Sequence, residues 1–111
     1  MDEDIRELSL NEVNNKLKNL PGWEFSDNKI SKEFKLGKFM DCLTFIMRLA
    51  PFCEAIDHHP DIHIFYSKIL FELQRFSIGG KVTERDFKVA KEIERIYEKH
   101  GLREGINIPT G

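Results

Sequence analysis

The amino-acid sequence predicts an α+β domain: one four-stranded antiparallel sheet with three helices packed on one face, in the order α-β-β-α-β-β-α. Two observations carry this reading. Apolar residues alternate with polar ones in two separate stretches, near residues 23–36 and 62–74, and each stretch holds two strands joined by a turn. Helical periodicity fills the segments before, between and after these pairs, without the strand-helix alternation that produces parallel sheets. A chain of 111 residues with 41% hydrophobic and 32% charged residues has enough apolar surface for one core, so residues 1–111 are read as a single domain.

The first helix starts at a capping box, Ser9-Leu10-Asn11-Glu12, in which serine and glutamate each satisfy a backbone N–H of the first turn. Leu10, Val13, Leu17 and Leu20 follow at helical spacing, and Pro21-Gly22 ends the segment. Trp23 and Phe25, the turn Asp27-Asn28, then Ile30, Phe34 and Leu36 form a hairpin with one apolar face.

Residues 38–56 are the most apolar stretch, with Phe39, Met40, Leu43, Ile46, Met47, Leu49, Ala50 and Cys53 spread over much of a helix circumference. A helix so widely apolar needs a sheet on one side and a second subunit on the other, which predicts a homodimer or homotetramer. Pro51 inside it removes one amide donor and should bend the helix or mark a join.

The second strand pair places Ile62, Ile64 and Tyr66 on one face, bends near Ser67-Lys68, and returns through Ile69, Phe71 and Leu73. Gly79-Gly80 marks a loop. Thr83-Glu84-Arg85-Asp86 resembles a capping box with aspartate in place of glutamate. The last helix carries Phe87, Ala90, Ile93, Ile96 and Tyr97 on one side and stops at Gly101, and residues 102–111 read as a loose tail.

Several function classes fall away on composition. Seventeen basic against 19 acidic residues, with no basic run, argue against nucleic acid as a partner. No stretch reaches the 18–20 apolar residues of a membrane span, and the acidic start Met1-Asp2-Glu3-Asp4 is unlike a signal peptide; a cytoplasmic location is expected. Cys42 and Cys53, eleven apart on one helix, are separated by about 16 Å of helix rise and cannot pair with each other, so they read as core residues.

Chemistry concentrates in one place. Glu54, Asp57, His58, His59, Asp61 and His63 lie within ten residues around Pro60, where the apolar helix meets a strand. Imidazole titrates near ~6.5, so the cluster could exchange protons at working pH. It could equally be a polar helix terminus, with histidines facing the last carbonyls. Histidine and aspartate also ligate metals, but Pro60 breaks the helix between His59 and His63 and removes the helical ligand pair of familiar zinc motifs. No metal or cofactor is expected.

The run Glu54-Ala55-Ile56-Asp57-His58-His59-Pro60-Asp61-Ile62-His63, with Tyr66, the glycine pair and Thr83-Glu84-Arg85-Asp86-Phe87, resembles the pterin-4a-carbinolamine dehydratase family. The family signature is an acidic or basic residue, three positions, His-His-Pro, five or six positions, an aromatic, nine positions, a His or Trp, and an Asp after a variable gap. Glu54, His58, His59, Pro60, Tyr66 and Asp86 fall at matching positions, and Pro21-Gly22-Trp23, Phe39 and the element order also agree. One position departs: Phe76 stands where the family usually has a third histidine. Lys81 is an extra residue between Gly80 and Val82, in a loop that commonly runs Gly-Gly-Leu-Thr.

The resemblance implies that the chain eliminates water from a 4a-hydroxytetrahydropterin to give quinonoid dihydropterin, without metal or cofactor. It implies acid-base work for His58 and substrate holding for His59. It places Glu54, Asp57, Pro60, Asp61, His63, Tyr66, Phe76 and Asp86 around the substrate, with Glu54 setting histidine protonation and Asp86 fixing geometry. Phe76 cannot carry a proton, and loss of one such group costs about 10²- to 10⁴-fold in rate, which predicts a slow dehydratase. The competing reading keeps the fold and drops catalysis, leaving a pterin-binding or oligomerising accessory protein.

Overall fold

The computed structural model describes residues 6–74 and 81–99. The expected loop at Gly79-Gly80, the residue Phe76, the helix end at Gly101 and the tail 102–111 lie outside the described residues. The element order is the predicted one, α-β-β-α-β-β-α.

Helix α1, Leu10–Leu17, opens on the complete capping box: Glu12 N–H donates to Ser9 Oγ (3.2 Å) and Ser9 N–H to Glu12 Oε1 (2.8 Å). The Arg6 guanidinium, followed by the Ser9 N–H, holds the Glu12 carboxyl down to about 2. The helix ends at Leu17, three residues short of the sequence reading. Asn19 N–H to Lys16 O (3.2 Å) and Leu20 N–H to Leu17 O (3.0 Å) form a tighter i→i+3 turn there. Pro21 disfavours helical geometry in the residue before it, so the periodic Leu20 is buried from a turn.

Strands β1, Glu24–Ser26, and β2, Lys29–Lys35, pair antiparallel across Asp27 and Asn28, whose φ values of 54° and 62° suit a two-residue hairpin turn. Helix α2, Phe39–Ile56, runs unbroken through Pro51 and buries Cys42, Phe45, Leu49 and Cys53. Both cysteines are free, and burial pushes the Cys53 thiol up to about 11, which keeps it protonated and inert.

Strands β3, Asp61–Phe65, and β4, Lys68–Leu73, complete a sheet ordered β1-β2-β4-β3, antiparallel throughout, with β3 as a free edge. Tyr66 departs from the sequence reading. It belongs to the turn rather than the strand, with φ 60° and 77% exposure, because a two-residue connection between paired strands needs a left-handed residue.

Helix α3, Glu84–Lys99, buries Phe87, Val89, Ala90, Ile93 and Ile96. Ile30, Phe34, Ile69, Phe71 and Leu73 of the sheet join them and α2 in one core. Phe34 meets Trp23, Phe45, Phe71 and Tyr97 edge to face, at 4.7–6.1 Å between centroids. A polar fastener holds α3 down: Glu94 accepts from Trp23 Nε1 (2.8 Å) and Lys32 Nζ (2.6 Å), and Tyr97 donates to Lys35 O (2.8 Å). The helices occupy one face; the other presents Lys29, Glu33, Lys35, Glu72 and His63 to solvent.

Candidate active site

The site is built by the way α2 stops. Asp57 takes the left-handed conformation (φ 53°, ψ 49°), and the next amide, His58 N–H, reaches back to Cys53 O at 3.0 Å. This pattern satisfies the last carbonyls and turns the chain sharply. Pro60 then forbids any return to helix and delivers the chain into β3. His58 and His59 are thus fixed at a corner between α2 and the sheet edge.

The two rings go different ways. His58 turns inward, 7% exposed, and its Nε2 lies 2.5 Å from Asp86 Oδ1 of α3. Asp86 is fully buried, and its second oxygen accepts from Thr83 N–H at 2.8 Å. That is the reach-back half of the predicted capping box. The other half is absent: Thr83 Oγ1 is buried with no partner among the described residues, and Asp86 N–H donates instead to Thr83 O (3.1 Å). With both carboxylate oxygens engaged, Asp86 fixes the imidazole with Nε2 against the carboxylate and Nδ1 as the ring's other nitrogen.

His59 faces out. Its Nε2 lies 2.5 Å from Glu54 Oε2, and both side chains are more than half exposed. With Pro60, His59 forms the lip of an apolar groove of about 190 Å³ between α2 and β3, walled by Ile46, Leu49, Ala50, Cys53 and Ile62. These wall residues escaped the sequence reading as a group. The signal was present, because 46, 49, 50 and 53 form one stripe on a helix.

Glu54, His58, His59, Pro60 and Asp86 are therefore brought together. Asp57 contributes the turn, with its side chain exposed. Asp61 and His63 lie on the outer sheet face, opposite in parity to Ile62 and Ile64. There His63 Nε2 meets Glu72 Oε1 at 3.0 Å and its ring stacks on Phe65. Tyr66 sits at the far end of β3, about 16 Å along the strand from the corner at ~3.3 Å per residue. No group of three or more His, Cys, Asp and Glu residues is arranged to hold a metal ion among the described residues. No helix among them is long and apolar enough to cross a membrane.

Fold and site together define an α+β domain with a histidine pair, each ring held by a carboxylate, beside an apolar groove. The family model described as pterin 4 alpha carbinolamine dehydratase matches residues 6–96, and the chain belongs to that family. A relative from Sulfolobus acidocaldarius, provisionally named pterin-4-alpha-carbinolamine dehydratase, is 38% identical over 89 residues, covering 80% of this chain and 97% of its own. One of the same provisional name from Mycolicibacterium smegmatis is 40% identical over 89 residues, covering 80% and 94%. Among solved structures, a transcriptional coactivator/pterin dehydratase from Brucella melitensis superposes with TM-score 0.77 at 32% identity, over 82% of this chain and 98% of that one. A pterin dehydratase-like RuBisCO assembly factor of the alpha-carboxysome shares the fold alone, with TM-score 0.53 at 19% identity over 67% of this chain and 84% of that one.

Proposed function

We propose that this chain is a slow 4a-hydroxytetrahydropterin dehydratase working in the cytoplasm. In the reaction a proton goes to the hydroxyl on C4a, and the C4a–O bond breaks with its electron pair leaving as water. N5 then loses its proton as the N5–C4a double bond forms. His58, steadied by Asp86, delivers the proton to the departing hydroxyl through Nδ1. His59 holds the pterin at the groove, with Glu54 setting its protonation. The N5 proton passes to solvent, since Phe76 offers no base at the family's third histidine position. The single observation that carries this reading is the pair of adjacent histidines, each on its own carboxylate, with His59 at the groove's lip and His58 buried next to it in the chain.

The test supplies the carbinolamine and follows quinonoid formation by wild type and His58→Ala. Wild type should exceed buffer, and the variant should lose about 10²- to 10⁴-fold, roughly 3–5 kcal/mol of barrier. A wild-type rate equal to buffer, with folded protein, removes the enzyme reading. Phe76→His should raise turnover, and no gain would show that the missing group is not limiting.

A second reading is an oligomerising accessory protein. It is favoured by the apolar stripe on α2, where Phe39 (46%), Met40 (59%), Leu43 (37%) and Met47 (74%) stand exposed, and by the edge position of β3 in the sheet. That surface supports a homodimer or homotetramer under either reading. Sedimentation at the mass of one chain would remove the oligomer.

A further inference from the structure

Away from the site, α1 carries a composition its own stability does not favour. Four of the chain's six asparagines are Asn11, Asn14, Asn15 and Asn19, in and just beyond an eight-residue helix. Asparagine is among the poorer helix formers, and a helix this short has little margin. None of the four amides makes a side-chain hydrogen bond within the described residues, so they do not serve the fold as caps or braces. They line two adjoining hollows. One, of about 450 Å³, is bounded by Asn11, Glu12, Asn14, Asn15 and Lys18. The other, of about 170 Å³, lies between Asn15, Lys16 and Asn19 on one side and Phe87 and Lys91 of α3 on the other. Asn15 belongs to both, and together they make a shallow trough running from α1 to α3.

The spacing of the amides is informative. Asn11 and Asn15 stand one four-residue step apart on α1, about 6 Å of rise at ~1.5 Å per residue, and Asn19 lies in the turn that follows. An extended peptide repeats every second residue at about 6.6 Å. A carboxamide carries both a donor and an acceptor and can meet the N–H and C=O of one peptide unit, so Asn11 and Asn15 can address alternate residues of an extended chain.

Charge narrows the occupant. Lys16 is committed to Glu84 (2.6 Å), and Glu12 to Arg6 (2.9 Å) and the Ser9 amide. Lys18 and Lys91 have no acidic partner among the described residues. The uncommitted charges along the trough are therefore positive. We infer that the trough between α1 and α3 binds an extended acidic peptide segment of another protein, with Asn11 and Asn15 on its backbone and Lys18 and Lys91 on its carboxylates.

The experiment measures fluorescence anisotropy of a labelled octapeptide of alternating Glu and Ser against the full chain, with a Lys-Ser octapeptide and an eight-nucleotide oligothymidylate as parallel probes. Saturable binding of the Glu-Ser peptide alone is expected. The double variant Asn11→Ala, Asn15→Ala should weaken it at least tenfold while raising the melting temperature, because alanine is the better helix former. A merely structural role for the amides would move melting temperature in the opposite direction. Lys18→Gln with Lys91→Gln should weaken binding several-fold and flatten its salt dependence. Three results would overturn the inference: no binding, equal binding by the asparagine variant, or binding of the oligonucleotide or Lys-Ser peptide as tight as that of the Glu-Ser peptide. Complete displacement of the peptide by inorganic phosphate at equal concentration would do the same, because it would reduce the trough to a simple anion site.

Discussion

His58 and His59 are neighbours in sequence, and each has a carboxylate 2.5 Å from its Nε2, yet one pair is buried against α3 and the other stands in solvent. Asp86 reaches His58 from 28 residues away and is itself pinned by Thr83 N–H, whereas Glu54, in the last turn of α2, reaches His59 just beyond the helix end and is 74% exposed. In low dielectric an ion pair or charge-assisted hydrogen bond is strong, and a lost partner is costly; in water the same geometry contributes little. The buried couple is thus architecture as well as chemistry, while the outer couple can rearrange around a ligand.

This contrast breaks most sharply at Asp86. Asp86→Ala strands His58 and the Thr83 amide and should cost about 3 kcal/mol of stability, a fall of more than about 10 °C in melting temperature by circular dichroism. A melt within 2–3 °C of wild type would erase the distinction between the pairs. His59→Ala should leave the melting curve in place and raise KM for the carbinolamine about tenfold, with a much smaller change in kcat, as for a group that holds the substrate. If kcat falls instead as far as in the His58 variant, the division of labour is wrong.

The smallest effect is expected at the third histidine. His63 shares Glu72 with Lys29, whose ammonium is the largest cause of a Glu72 carboxyl held below its ordinary value; His63 adds to it. A depressed carboxyl gives stability that is present above its unfolded value and lost as pH falls through the folded one. Melting temperature should therefore drop on acidification through the carboxylate range more steeply in wild type than in Glu72→Gln. Identical pH profiles would show that this outer-face network contributes nothing measurable.

Much of this was legible in the chain. The capping box at Ser9 and Glu12, the Asp27-Asn28 hairpin and the core stripe of α3 are local patterns, and local patterns survive folding. The histidine cluster was legible as a cluster, but its members were not sorted. Strand parity alone would have sent Asp61 and His63 away from the groove once Ile62 and Ile64 were assigned inward. Tyr66 looked like the next inward residue of that alternation, because nothing in its own chemistry announces a left-handed turn. The contact between Asp86 and His58 was beyond sequence reading for another reason: it joins the segment after α2 to α3 across a strand pair, and no spacing rule sets that distance.

The tie between His58 and α3 has a consequence for biosynthesis. A growing chain that has left the ribosome only as far as Leu73 contains every histidine of the corner, but not the helix that immobilises the inner ring. Such a fragment has the histidines without their alignment, so the inner ring is fixed only when the last third of the polypeptide has been made and docked.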